Sequence, residues 1–112
     1  MLETYLERTG KKLTGKNMLI EQIQLENGCA LGLKLELQKY PLLLIRAEKG
    51  FLMCGYLDIK AAEALGDIAA KVKGVQSFEN MLEARLVEVT PAARKLGVEP
   101  GMAGREALEK MF

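Results

Sequence analysis

The sequence predicts an α+β domain, with an antiparallel N-terminal β-meander followed by helices and one further strand. Three observations carry this reading. Segments 18–26 and 29–38 alternate apolar and polar residues with the period of a half-buried strand. Segments 42–45 and 51–57 are almost free of polar atoms, and both are too short for a typical helix. From Ile59 onward the apolar residues recur at helical spacing, directly after a capping aspartate.

Residues 1–17 read as an N-terminal arm, and 18–112 as a single domain. Leu2, Tyr5 and Leu6 suit one turn of amphipathic helix, but Gly10 and Gly15 with Lys11, Lys12 and Lys16 argue for a loose segment beyond it. In 18–26, Leu19, Ile23 and Leu25 share a face against Gln22 and Gln24. In 29–38, Cys29, Leu31, Leu33, Leu35 and Leu37 alternate with Ala30, Gly32, Lys34, Glu36 and Gln38. A two-residue Asn27-Gly28 turn would put the apolar faces of these strands out of phase. A three-residue loop, Glu26-Asn27-Gly28 with a left-handed Gly28, keeps them in phase by pairing Leu25 with Cys29 and Ile23 with Leu31. Ala47-Glu48-Lys49-Gly50-Phe51 repeats that loop in form, which sets Ile45 opposite Met53 and Leu44 opposite Cys54. Being apolar on both faces, 42–45 and 51–57 read as central strands covered on both sides.

Asp58 is the expected N-cap of a helix over 59–73, roughly 22 Å long at the α-helical rise, with Gly74 closing it. Ile59, Ala62, Leu65, Ile68, Ala69 and Val72 fall on its apolar face. Ser77 caps a short turn over 78–82, and 84–89 is the further strand, with Leu86, Val87 and Val89 its apolar residues. Thr90-Pro91 opens a two-turn helix that Gly97 ends. A last helix over 103–111 buries Ala107, Leu108 and Met111.

Composition excludes more than it assigns. The 112 residues hold 16 basic and 15 acidic side chains for a net charge of +1, without the basic stripe a nucleic-acid partner requires. The lysines of the arm read as solvated. The chain has no histidine, which removes histidine-based triads, the usual histidine-containing zinc sites and an imidazole proton shuttle. Its 2 cysteines are too few for a four-thiolate zinc site, so no metal and no cofactor is expected. Met53, Met81, Met102 and Met111 fall at packing positions. With no signal-peptide pattern and no apolar run near the roughly eighteen residues of a membrane span, the expectation is a soluble cytoplasmic protein with reduced thiols and no membrane partner. Hydrophobic residues make up 49% of the chain, a load that predicts surface buried between subunits rather than a monomer.

The candidate site residues are few. Cys54, four residues before the expected cap, is placed where a helix N-terminus can activate a thiol, with Gly55 leaving room beside it. A cysteine in a strand is more often a small hydrophobe. Without histidine, Arg46 on the same expected sheet face would have to activate the thiol. Asp58 is most simply a cap. Gly101 and Gly104, in Pro100-Gly101-Met102-Ala103-Gly104, open the last helix, where free amides can hold an anion.

GFLMCGYLD at 50–58, GV at Gly74 and Val75, and AARKLGVEPGMAGREALEKM at 92–111 together resemble the YunC-type family of bacterial and archaeal proteins, a family of unknown function. The resemblance spans about 18–111. It implies a two-layer α+β sandwich whose N-terminal β region assembles a homotetramer, and it implies no activity. Two functional expectations follow: a small homo-oligomeric binding or regulatory module for a small-molecule ligand, or a small enzyme using Cys54 on an acyl or phosphorylated metabolite.

Overall fold

The computed structural model describes residues 12–112. One sheet of 7 strands organises it, with neighbours in chain order: β1 (Lys12–Thr14), β2 (Met18–Gln24), β3 (Cys29–Glu36), β4 (Pro41–Arg46), β5 (Phe51–Met53), β6 (Ala69–Lys71) and β7 (Glu88–Val89). All pairs are antiparallel except β5 with β6, which the helix α1 (Ile59–Leu65) connects as a crossover. Three short helices complete the described chain: α2 (Phe78–Glu83), α3 (Pro91–Arg94) and α4 (Gly104–Glu109). The architecture is the expected α+β, with the meander first. Two strands arise where none is expected. β1 lies within 1–17, so the last part of the expected arm is paired to β2, whereas residues 1–11 fall outside the described residues.

β6 replaces the second half of the expected long helix. Asp58 caps α1 as expected, accepting the Lys60 amide at 2.9 Å. The helix ends at Gly66, which is left-handed at φ 78 and donates to the Glu63 carbonyl while Asp67 donates to the Ala62 carbonyl. This pair of bonds is a Schellman stop. Beyond it Ala69 and Ala70, both fully buried, fit a strand covered on both faces as well as they fit a helical stripe. Pairing with β5 gives their amides and carbonyls partners.

Both hairpins run one residue tighter than expected. The Leu25 amide donates to the Gly28 carbonyl at 2.9 Å and the Ala47 amide to the Gly50 carbonyl at 2.8 Å, so Ile23 lies opposite Ala30 and Leu44 opposite Met53. Gly28 is not left-handed; a Cβ there would stand 2.5 Å from the Phe112 ring. At Gly50 a Cβ would stand 2.5 Å from Ile68. The two glycines are needed for close approach to other segments rather than for a positive φ, and that reading shifts the register.

The register decides which face of the sheet is core. Ile23, Ala30, Leu43, Ile45, Leu52 and Ala70 pack with Phe78, Met81, Ala93, Ala107 and Leu108, so α2, α3 and α4 cover that face. On β3 it is the small residues that point inward, because the Phe78 ring occupies the space over Gly32, 2.7 Å from a Cβ there. Among the described residues, the helix that covers the opposite face is α1, beside β5 and β6, where Ile59 and Ala62 meet Met53 and Ala69. Elsewhere that face presents Met18, Leu35 and Leu42, then Leu33 and Leu44, then Leu31 beside Arg46. Leu31 is 43% exposed and Leu35 37%.

The remaining caps follow the sequence. Ser77 accepts the Asn80 amide at 3.0 Å, and Thr90 accepts the Ala93 amide at 3.2 Å with Pro91 at the start of α3. The segment 84–89 pairs as a regular strand only at Glu88–Val89. Further back it bonds to the loop before α4, through Leu86 to Met102 and Gly101 to Leu86.

Candidate functional site

The strand that begins at Phe51 ends at Met53 because the chain must turn toward α1. The Leu57 amide donates to the Cys54 carbonyl at 3.2 Å, closing a tight turn with Gly55 and Tyr56 at its centre. The Cys54 carbonyl is turned to this bond and does not accept the Leu43 amide across the ladder. The Cys54 amide still donates to the Leu43 carbonyl at 3.2 Å, and the Leu43 amide donates to Cys54 Sγ, also at 3.2 Å. The sulfur thus stands in for a backbone acceptor. The thiol is 3% exposed and unpaired with the other cysteine.

Cys54, Gly55 and Tyr56 form one wall of a cleft of about 240 Å³. Tyr40 and Pro41, at the entrance to β4, form the second, and Gly74 with Val75, after β6, the third. Gly74 is left-handed at φ 69, which turns the chain away from β6 and sends Val75 into the core. Tyr40 and Tyr56 are 50% and 52% exposed, so two phenol rings flank the opening. No lining side chain carries a charge. Lys73, which precedes Gly74, runs along the edge of the cleft, with its stem 3.7 Å from where a Cβ of Gly55 would be, and Lys39 precedes Tyr40 in sequence.

Of the residues singled out in the sequence, this cleft unites Cys54 and Gly55. Asp58 lies one residue beyond the turn and is engaged as the α1 cap. Arg46 does not join them. The tighter hairpin register pairs it with Phe51 and puts it on the leucine-bearing face, where it borders a different hollow with Cys29, Glu48 and Phe112 and donates to the Ala47 carbonyl at 3.1 Å. Gly101 is left-handed at φ 89 and serves the turn before α4. Gly104 is buried against the Met81 carbonyl and Leu52, and its amide donates to the Ala84 carbonyl at 2.9 Å, so it has no amide to offer an anion. Tyr40, Pro41, Tyr56, Gly74 and Val75 escape a residue-by-residue reading. The signal that locates most of them is the pairing of two separate motifs, GFLMCGYLD and GV, which meet only in this cleft.

A family model described as "Domain of unknown function (DUF1805)" matches residues 53–111, which take in Cys54, Gly55, Tyr56, Gly74 and Val75. The chain is 37% identical over 81 residues to a protein of Bacillus subtilis described as "Uncharacterized protein YunC", covering 69% of this chain and 80% of that one. A crystal structure of a protein of unknown function, TA1206 from Thermoplasma acidophilum, is similar with a TM-score of 0.82 at 36% identity, covering 89% of this chain and 98% of that one.

Proposed function

Taking as premise that the chain belongs to the domain-of-unknown-function family DUF1805, we propose that it is a small homo-oligomeric binding module that takes a small-molecule ligand in the cleft beside Cys54. The observation that carries this reading is the engagement of Cys54 Sγ by the Leu43 amide at 3.2 Å. A sulfur serving as a ladder acceptor is committed to the fold, so the cleft offers shape and aromatic surface rather than a free nucleophile. Two half-exposed tyrosines at the mouth of an uncharged hollow are the usual furnishing of a binding site.

Assembly supports the same reading. The face of β2–β4 that no helix of the described residues covers carries Leu31, Leu33, Leu35, Leu42 and Leu44, with Arg46 the one charged side chain among the β3 and β4 residues on it. A two-fold axis laying this patch on the same patch of a second copy matches apolar surface to apolar surface without a second complementary site. A tetramer is the size that the family resemblance implies. Cytoplasmic residence suits a chain with an exposed Cys29 and a buried Cys54, both free. Among the described residues no helix is long and apolar enough to cross a membrane.

The second reading, a cysteine-dependent enzyme acting on an acyl or phosphorylated metabolite, draws on one observation. Cys54 lies in the cleft wall beside the open Gly55. Alkylation at pH 6 with peptide mapping separates the two. Rapid labelling of Cys29 with Cys54 untouched supports the binding module; rapid labelling of Cys54 in the folded protein supports the enzyme. Native mass spectrometry then reads the assembly, with four subunits of 12.4 kDa each expected, and any ligand retained with them.

A further inference from the structure

Resting on the cleft reading above, we infer that the ligand is a small aromatic carboxylate, its ring held between Tyr40 and Tyr56 and its carboxylate received at the rim by Lys73 and the turn amides. Size bounds the ring. A dry cavity of roughly 150 Å³ holds benzene, so about 240 Å³ suits a bicyclic ring with a compact substituent. The lining chemistry favours a flat, weakly polar body, because the walls offer phenol faces, Pro41 and Val75 and no charge to pair with a second polar group.

The stem of Lys73 and the donors of the Gly55-Tyr56 turn lie side by side at one edge of the cleft. Lys73 runs along the open side of Gly55, and Lys39 precedes Tyr40. Among the described residues the ion pairs are Lys34 with Glu36 and Arg94 with Glu99, so Lys73 and Lys39 have no acidic partner among those residues. Asp58, the acid nearest the Gly55-Tyr56 turn in sequence, already accepts the Lys60 amide as helix cap. The amides of Gly55 and Tyr56, at the centre of the turn that Leu57 closes, donate to no protein acceptor among the described residues. An ammonium and two neighbouring unbonded N–H groups match an anionic head group. The apolar interior places that anion at the rim rather than at the floor.

An isosteric pair tests this on the full-length protein: indole-3-carboxylate and indole-3-carboxamide, titrated by calorimetry at low ionic strength. The carboxylate is expected to bind roughly tenfold more tightly, a preference that shrinks with added salt because the rim charges are exposed. In Lys73→Gln, an exposed substitution, that preference is lost. Equal affinity of the two probes for the wild-type protein, or a preference that survives in Lys73→Gln, overturns the carboxylate assignment and leaves the cleft reading standing. Failure of both probes to bind, with Tyr40 and Tyr56 resonances unmoved, overturns the assignment and the cleft reading together.

Discussion

The Leu43 amide donates to the sulfur of Cys54 at 3.2 Å, at the point where the β4–β5 ladder runs out of carbonyls. Leu43 is fully buried, so its N–H has no water to turn to. The thiol is therefore a structural acceptor at the wall of the candidate site.

This contact sets the order of two substitutions. A buried thiol without a partner would make Cys54→Ser worse than Cys54→Ala, since a hydroxyl requires a stronger hydrogen-bond partner. With the Leu43 amide pointing at it, serine keeps an acceptor that alanine removes. Alanine is expected to cost about 3 kcal/mol, from lost packing and an orphaned amide, and serine about half of that. Urea denaturation of both variants checks the order; alanine as stable as serine would show that the N–H···S contact contributes nothing.

Assembly is tested on the leucine face. Leu31→Lys combined with Leu35→Lys places charge at two positions that are 43% and 37% exposed in the protomer, so the fold has little to lose. The expected result is a drop in mass by light scattering toward the 12.4 kDa subunit with the circular dichroism spectrum retained. An unchanged oligomer would move the interface elsewhere.

Thr90 is the buried polar side chain on which β6 depends. Its Oγ1 accepts the Ala69 amide at 3.1 Å and the Ala93 amide at 3.2 Å, and donates to the Asp67 carbonyl at 2.7 Å. Thr90→Val keeps the shape and removes all three bonds, for an expected loss of about 3 kcal/mol. By the usual scaling for a domain of this size that lowers Tm by roughly 10 °C or more, measurable by calorimetry.

Glu109 ties the C-terminal helix to the first hairpin. Its carboxylate accepts the amides of Glu26 and Asn27, each at 2.8 Å, and its carbonyl accepts Asn27 Nδ2 at 3.0 Å. Glu109→Ala is expected to cost about 1–2 kcal/mol and to speed amide exchange at Glu26 and Asn27 ahead of the rest of the sheet. Unchanged exchange at those two amides would show that the turn holds without its cap.

Local chemistry was legible wherever the partner lay within a few residues. Asp58, Ser77 and Thr90-Pro91 are caps in the sequence and caps in the structure, because the bond each makes closes over two or three residues. The meander itself was legible from period-two alternation, as were the central positions of β4 and β5 from their unbroken apolarity. The candidate site was half legible: Cys54 and Gly55 stand out locally, whereas Tyr40 and Val75 join them only through the turns that bring three segments together.

What the sequence by itself determined about this protein is its class, the N-caps at Asp58, Ser77 and Thr90 and the existence of both hairpins, since each follows from neighbours along the chain. Only the tertiary structure decided the registers and the end of the first helix. Gly28 and Gly50 look like turn glycines until Phe112 and Ile68 are seen lying against them, and Gly66 looks tolerable in a helix until β5 offers Ala69 and Ala70 a ladder. A one-residue slip in register exchanges the faces of a strand. That slip turned the leucines of β3 outward and separated Arg46 from Cys54, through contacts with residues as distant in sequence as Phe112.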